Sequence, residues 1–157
     1  MEQVLVADRI AIRSSGLLPR RHRLLAGEQA LGELTVGVGF TAAFSDAEGR
    51  LLRFRRTSLW RGEYGMWEGG QVLGSASQPL FQRRFDVRFA GGSFLLFPRG
   101  LGLYAWELRD ETGAALLTLR WHLFSGGEIL LHAPVEGDLL AFVTYLTLMR
   151  RRVARRR

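Results

Sequence analysis

The chain has 157 residues, no cysteine, 24% charged residues and a formal net charge of +7 at pH 7. That length suits a single domain able to bury about 70% of its extended surface, so it needs neither a disulfide nor a structural metal. Six of its 22 basic residues fall within positions 150–157, which hold no acid, leaving 16 basic against 15 acidic residues in the body. A body so close to neutral argues against a nucleic-acid-binding face, which needs a basic stripe on the folded surface.

From the N-terminus, Met1-Glu2-Gln3 lacks a basic start and Val4 to Ala7 is too short for an apolar core, so no signal peptide is expected. The clusters Arg20-Arg21-His22-Arg23, Arg53/Arg55/Arg56 and Arg83-Arg84 read as solvated strand edges or turns. His22, among arginines, should resist protonation and lie at the surface. Leu34, Val36, Val38 and Phe40 alternate with Thr35, Gly37 and Gly39, which predicts a strand with one buried face. Gly37 and Gly39 then sit inside that strand and precede no helix, so they mark curvature or close backbone approach rather than a phosphate cradle. Asp46-Ala47-Glu48-Gly49 predicts a tight turn in which Asp bonds the backbone and Gly takes positive φ.

Trp60, Tyr64 and Trp67 surround Gly62 and Gly65 without clean alternation. Core packing is expected for at least two of them; an exposed Trp beside Arg61 would suit a membrane interface. Phe85, Val87 and Phe89 form the next alternating strand, and Leu117, Leu119, Trp121 and Leu123 another. Turns fall at Glu68-Gly69-Gly70, Ala90-Gly91-Gly92, Asp110-Glu111-Thr112-Gly113 and Ser125-Gly126-Gly127. Short strands at such regular spacing indicate an antiparallel sandwich or barrel.

No catalytic constellation emerges. His122 and His132 flank the Gly126-Gly127 turn; a two- or four-residue loop points them to opposite faces, a three-residue loop to one face. In neither register does a third ligand present itself, so no metal site is expected. Ser125 near His122 lacks a nucleophile-elbow context. No cofactor and no enzymatic activity are expected.

Leu139 to Met149 is apolar around the whole helical wheel apart from Thr144, Tyr145 and Thr147. Such a helix must be surrounded by protein or by lipid. Its eleven residues rise about 16 Å, against roughly 30 Å for a bilayer core, so enclosure by protein is the expectation. Pro134 and Gly137 mark the preceding turn, and Asp138 is the expected N-cap. One domain over 1–149, with its helix at 139–149, is followed by an Arg-rich tail at 150–157.

Hairpins of the form Asp-x-x-Gly, closed by a wholly apolar C-terminal helix, resemble the tubby C-terminal-like superfamily of tubby, LURP-one-related and phospholipid scramblase proteins. Phe44 to Leu52, Phe85 to Phe97, Trp106 to Trp121 and Asp138 to Met149 carry the resemblance. It implies a closed antiparallel β-barrel of twelve strands wrapped around a buried hydrophobic C-terminal helix, and association with membrane lipids. Charge points the same way: Arg150, Arg151, Arg152, Arg155, Arg156 and Arg157 beside an apolar helix can attract anionic lipid, at about 1 kcal/mol per residue near the surface. The expected function is a non-enzymatic module on anionic membrane surfaces, cytoplasmic and peripheral on the inner face of the membrane. The competing readings are a soluble scaffold and a small-ligand carrier or enzyme with a site at the barrel mouth.

Overall fold

The computed structural model describes residues 4–5, 8–17, 19–58, 60–79 and 81–155, with 4–5 and 153–155 given by backbone alone. Its elements in chain order are β1 (Val4–Leu5), β2 (Arg9–Ser15), β3 (Arg20–Ala26), β4 (Gln29–Val36), β5 (Ala42–Asp46), β6 (Leu51–Ser58), β7 (Gly62–Glu68), β8 (Gln71–Gln78), β9 (Phe85–Phe89), β10 (Gly92–Arg99), β11 (Ala105–Arg109), β12 (Ala115–Trp121), β13 (Gly127–Leu131), β14 (Val135–Glu136) and α1 (Gly137–Arg155). Strands β2 to β13 pair antiparallel in chain order, and β13 returns to β2, closing a twelve-stranded barrel. β1 pairs with β14 in a separate two-stranded sheet. Closure removes strand edges altogether. The arginine clusters therefore guard no edge; Arg21, Arg23, Arg53 and Arg55 instead stand exposed on the outer wall.

A barrel of about eight strands is filled by its own side chains, and a wider one needs something more inside. Here α1 supplies it. Leu140, Phe142, Val143, Leu146 and Met149 point in different directions around the helix, yet each is 0% exposed. Phe54 of β6 stacks on Tyr145 with ring centroids 4.9 Å apart, and Tyr64 of β7 meets Tyr145 edge-on at 5.9 Å.

Burial obliges every polar atom on α1 to find a partner. The Thr144 hydroxyl donates back to the Leu140 carbonyl at 2.8 Å, and the Thr147 hydroxyl to the Thr144 carbonyl at 2.9 Å. Thr147 also accepts from the Trp121 indole at 2.9 Å. The Tyr145 hydroxyl donates to the Phe40 carbonyl, and burial pushes its pKa far above the usual value, so it remains a donor.

The helix is anchored at both ends. Asp138 lies in its first turn rather than at the N-cap, where a carboxylate also suits the positive end of the helix dipole. Arg50, between β5 and β6, holds Asp138 at 3.0 Å and forks onto Glu68 at 2.8 and 3.0 Å. Burial raises the Asp138 carboxyl's pKa and Arg50 pulls it down. At the other end α1 continues to Arg155, past Met149. Arg is a good helix former, and cations complement the negative helix terminus, so the arginine run extends the helix rather than ending it.

Successive hairpins alternate between the two ends of the barrel. One end carries the tight turns anticipated from Asp and Gly. Asp46 accepts from the Glu48 and Arg50 amides, both at 2.9 Å, and Asp110 accepts from Thr112 and Ala114 at 2.9 and 3.1 Å. Gly49 and Gly113 take φ of 86° and 85° in these two turns. The two hairpins thus share one turn geometry.

Replacing Leu146 with Ala opens a cavity against an otherwise complete core. The expected cost is about 2–5 kcal/mol in chemical denaturation, because the surrounding barrel cannot collapse into the space. A loss below about 1 kcal/mol would mean that α1 is not tightly enclosed.

Candidate functional site

The other end of the barrel is built from the six remaining loops between the strands, whose described residues are 16–17 and 19, 37–41, 60–61, 79 and 81–84, 100–104 and 122–126. Their sequences contain no Asp or Glu, whereas Arg61, Arg83 and Arg84 belong to them. The tight-turn end holds Glu28, Glu48, Asp110 and Glu111 in its hairpins against Arg50, and Asp138 below them. A nearly neutral body is therefore polarised along the barrel axis, acidic at one end and basic at the other.

Where α1 emerges among the six loops there is an open cavity of about 610 Å³. Arg20, Arg151 and Arg152 line it with His22, His122 and Trp121, and its described lining includes no carboxylate. Each arginine head is placed by a specific contact. Arg152 donates through Nη1 to the carbonyl of Gly37, at 3.0 Å, and to that of Gly39. Arg151 lies over the rings of Tyr104 and Trp121, 5.3 and 5.4 Å from their centroids. Arg20 donates to the Gly16 carbonyl at 2.9 Å. Such contacts hold guanidinium groups in defined orientations, a geometry that suits recognition of an anion.

His22 is the titratable group at the cavity floor. It is 3% exposed, packs edge-on against Trp121 and shares a 2.7 Å hydrogen bond with the Ser14 hydroxyl. Burial, followed by the charges of Arg20, Arg151 and Arg152, lowers its pKa from the usual 6.5 to about 4. The imidazole is thus neutral near neutral pH. Resistance to protonation agrees with its arginine-rich neighbourhood, but its surface placement does not: period two along β3 turns His22 inward while Arg21 and Arg23 face out.

The sequence-derived candidates are distributed unevenly. Arg151 and Arg152 reach the cavity, and Arg150 follows Met149 on the same half-buried turn of α1. Arg155 is described by backbone alone, and Arg156 and Arg157 lie outside the described residues. His122 lines the cavity, whereas His132 lies beyond β13 at the opposite end, its ring 2.9 Å from the Thr118 hydroxyl. The β12–β13 loop has five residues and pairs Trp121 with Gly127, so neither two-histidine register applies. Among the described residues no cluster of three or more His, Cys, Asp or Glu could hold a metal ion.

Two predicted strands are shorter than expected. β4 stops at Val36 and β12 at Trp121, which puts Gly37 to Thr41 and Leu123 in loops. The two glycines thus supply the carbonyls that hold Arg152, a role their apparent place within a strand concealed. Of the three clustered aromatics only Tyr64 is in the core; Trp67 is half-buried on the outer wall beneath Arg55, and Trp60 is exposed in its loop.

No protein-family model and no curated protein matches the sequence. Among solved structures, an X-ray structure of a protein from Arabidopsis thaliana is similar, with 12% identity over 90% of each chain and a TM-score of 0.61. At that identity the likeness shows a shared fold. Among the described residues no helix is long and apolar enough to cross a membrane.

Because folded His22 refuses a proton that the unfolded chain accepts, its contribution to stability is present above pH 6.5 and fades as pH falls towards 4. The expected loss over that window is up to about 3 kcal/mol, and His22→Gln should flatten it. Denaturation curves at pH 7 and pH 4.5 measure this; equal acid sensitivity in both proteins would place the sensitivity elsewhere.

Proposed function

We propose that the protein is a non-enzymatic module of the tubby C-terminal-like kind that associates with anionic membrane lipids. The observation that supports this best is the separation of charge: every hairpin loop at one end is free of carboxylates, and the arginines of α1 emerge among them. A surface of this kind is drawn to a negatively charged leaflet, with about 1 kcal/mol from each nearby Arg. In this reading Arg151 and Arg152 meet lipid phosphate at the cavity, and Arg150, Arg155, Arg156 and Arg157 add attraction around it.

The Ser14–His22 contact favours a second reading, a carrier or enzyme for a small anion at the barrel mouth. Against catalysis, no carboxylate in the described lining orients the imidazole, and His22 is buried.

Co-sedimentation with phosphatidylcholine vesicles, with and without phosphatidylserine, tests the proposal. Binding should require the anionic lipid and weaken as salt shortens the Debye length from about 10 Å at 0.1 M to about 3 Å at 1 M. Arg61→Gln with Arg84→Gln should weaken it roughly thirtyfold, the equivalent of about 2 kcal/mol. A chain ending at Arg152 retains the contacts of Arg151 and Arg152 and isolates the contribution of Arg155 to Arg157. If the intact protein ignores anionic vesicles even at low salt, the membrane reading fails and a soluble scaffold takes its place.

A further inference from the structure

Among the described residues, ten large apolar side chains are exposed, and eight of them project from the basic end of the barrel. Leu17, Val38 and Trp60 stand on the first three loops of that end. Phe81, Leu101 with Tyr104, and Leu123 with Phe124 stand on the other three. Every one of the six loops contributes, although the loops are spread along the whole chain. Scattered exposed apolar residues are ordinary on a soluble surface, but gathering on one rim is not.

Phe81 makes the point most sharply. Its ring is fully exposed, and its backbone lies in the left-handed region at φ 63°, an unfavourable conformation for a bulky non-glycine residue. The fold gains no core packing from this strained display. Trp60, 94% exposed, stands beside Arg61, and the loop that carries Phe81 also carries Arg83 and Arg84. Apolar rings interleaved with guanidinium groups and no carboxylate match the boundary between lipid headgroups and acyl chains, where aromatic side chains settle and cations meet phosphate.

We propose that the protein docks end-on, with the barrel axis upright and the six-loop rim inserted into the interfacial layer of an anionic bilayer. The outer wall does not compete for this role. It exposes Arg21, Arg23, Arg53 and Arg55, but of the ten exposed apolar side chains only Leu51 and Val72 lie off the rim, so the wall has charge without apolar anchors. The inference rests on the anionic-membrane reading and adds a surface, a depth and an orientation to it. Insertion contributes a part of the binding that salt does not screen.

Trp60 reports insertion directly, because Trp106 and Trp121 are buried and Trp67 lies half-buried on the wall. Anionic vesicles should shift the tryptophan emission of the full chain to shorter wavelength, and lipid brominated on its acyl chains should quench it. W60F, compared at a lipid concentration where it co-sediments with the vesicles, should lose both signals, which assigns them to Trp60. F81S with F124S, at positions outside the core, should leave the melting temperature unchanged and weaken vesicle binding by about tenfold or more. Unaltered binding by that double variant, with no shift at Trp60, would overturn rim insertion while leaving charge-driven association standing. A shift that depends on protein concentration without vesicles would assign the rim to a second copy and also overturn it. Absence of any vesicle binding by the intact chain would remove the underlying reading as well.

Discussion

A helix without a polar face occupies the lumen of the barrel, and the rest of the molecule answers to that packing. Twelve strands enclose more space than their own side chains fill, and α1 needs a wall on every side. Each solves the other's problem. The few polar groups on α1 are answered from within the helix, by Trp121 or by the Phe40 carbonyl, so the enclosed surface leaves these hydroxyls satisfied.

Filling the lumen also limits where function can reside. The interior offers no room along most of the barrel axis, which leaves the wall and the two ends. The ends differ because α1 enters at one and leaves at the other. Its first turn brings a carboxylate that Arg50 ties to the tight-turn hairpins. Its last turns bring arginines that hold the Gly37 and Gly39 carbonyls and stack on Tyr104 and Trp121. The direction of one helix thus adds to the electrical polarity that the loops at the two ends already carry.

The barrel and its enclosed helix were legible because both are written in periods: two along the strands, and an unbroken apolar surface around α1. Asp46 and Asp110 were legible for a local reason, since Asp and Gly three positions apart close a turn with their own atoms. The loop end was not legible. Val38 and Leu123 continue the alternation of β4 and β12 beyond the point where the partner strand stops, and period alone does not mark that point. Phe81 and Phe85 are four residues apart, one in solvent and one fully buried. Assigning all six loops to a common end requires the strand count and its parity, a property of the whole topology. His22 was misplaced for a related reason, because a run of arginines hides which of its members period two turns inward.

The central claim is that the carboxylate-free loop end is the face that meets an anionic membrane. Hydrogen exchange with and without phosphatidylserine vesicles tests it residue by residue, since docking protects the amides it covers. The described residues of the six loops should slow together, while the Asp46 and Asp110 hairpins at the far end keep their rates. Protection of those hairpins or of the outer wall, with the six loops unchanged, would contradict the account.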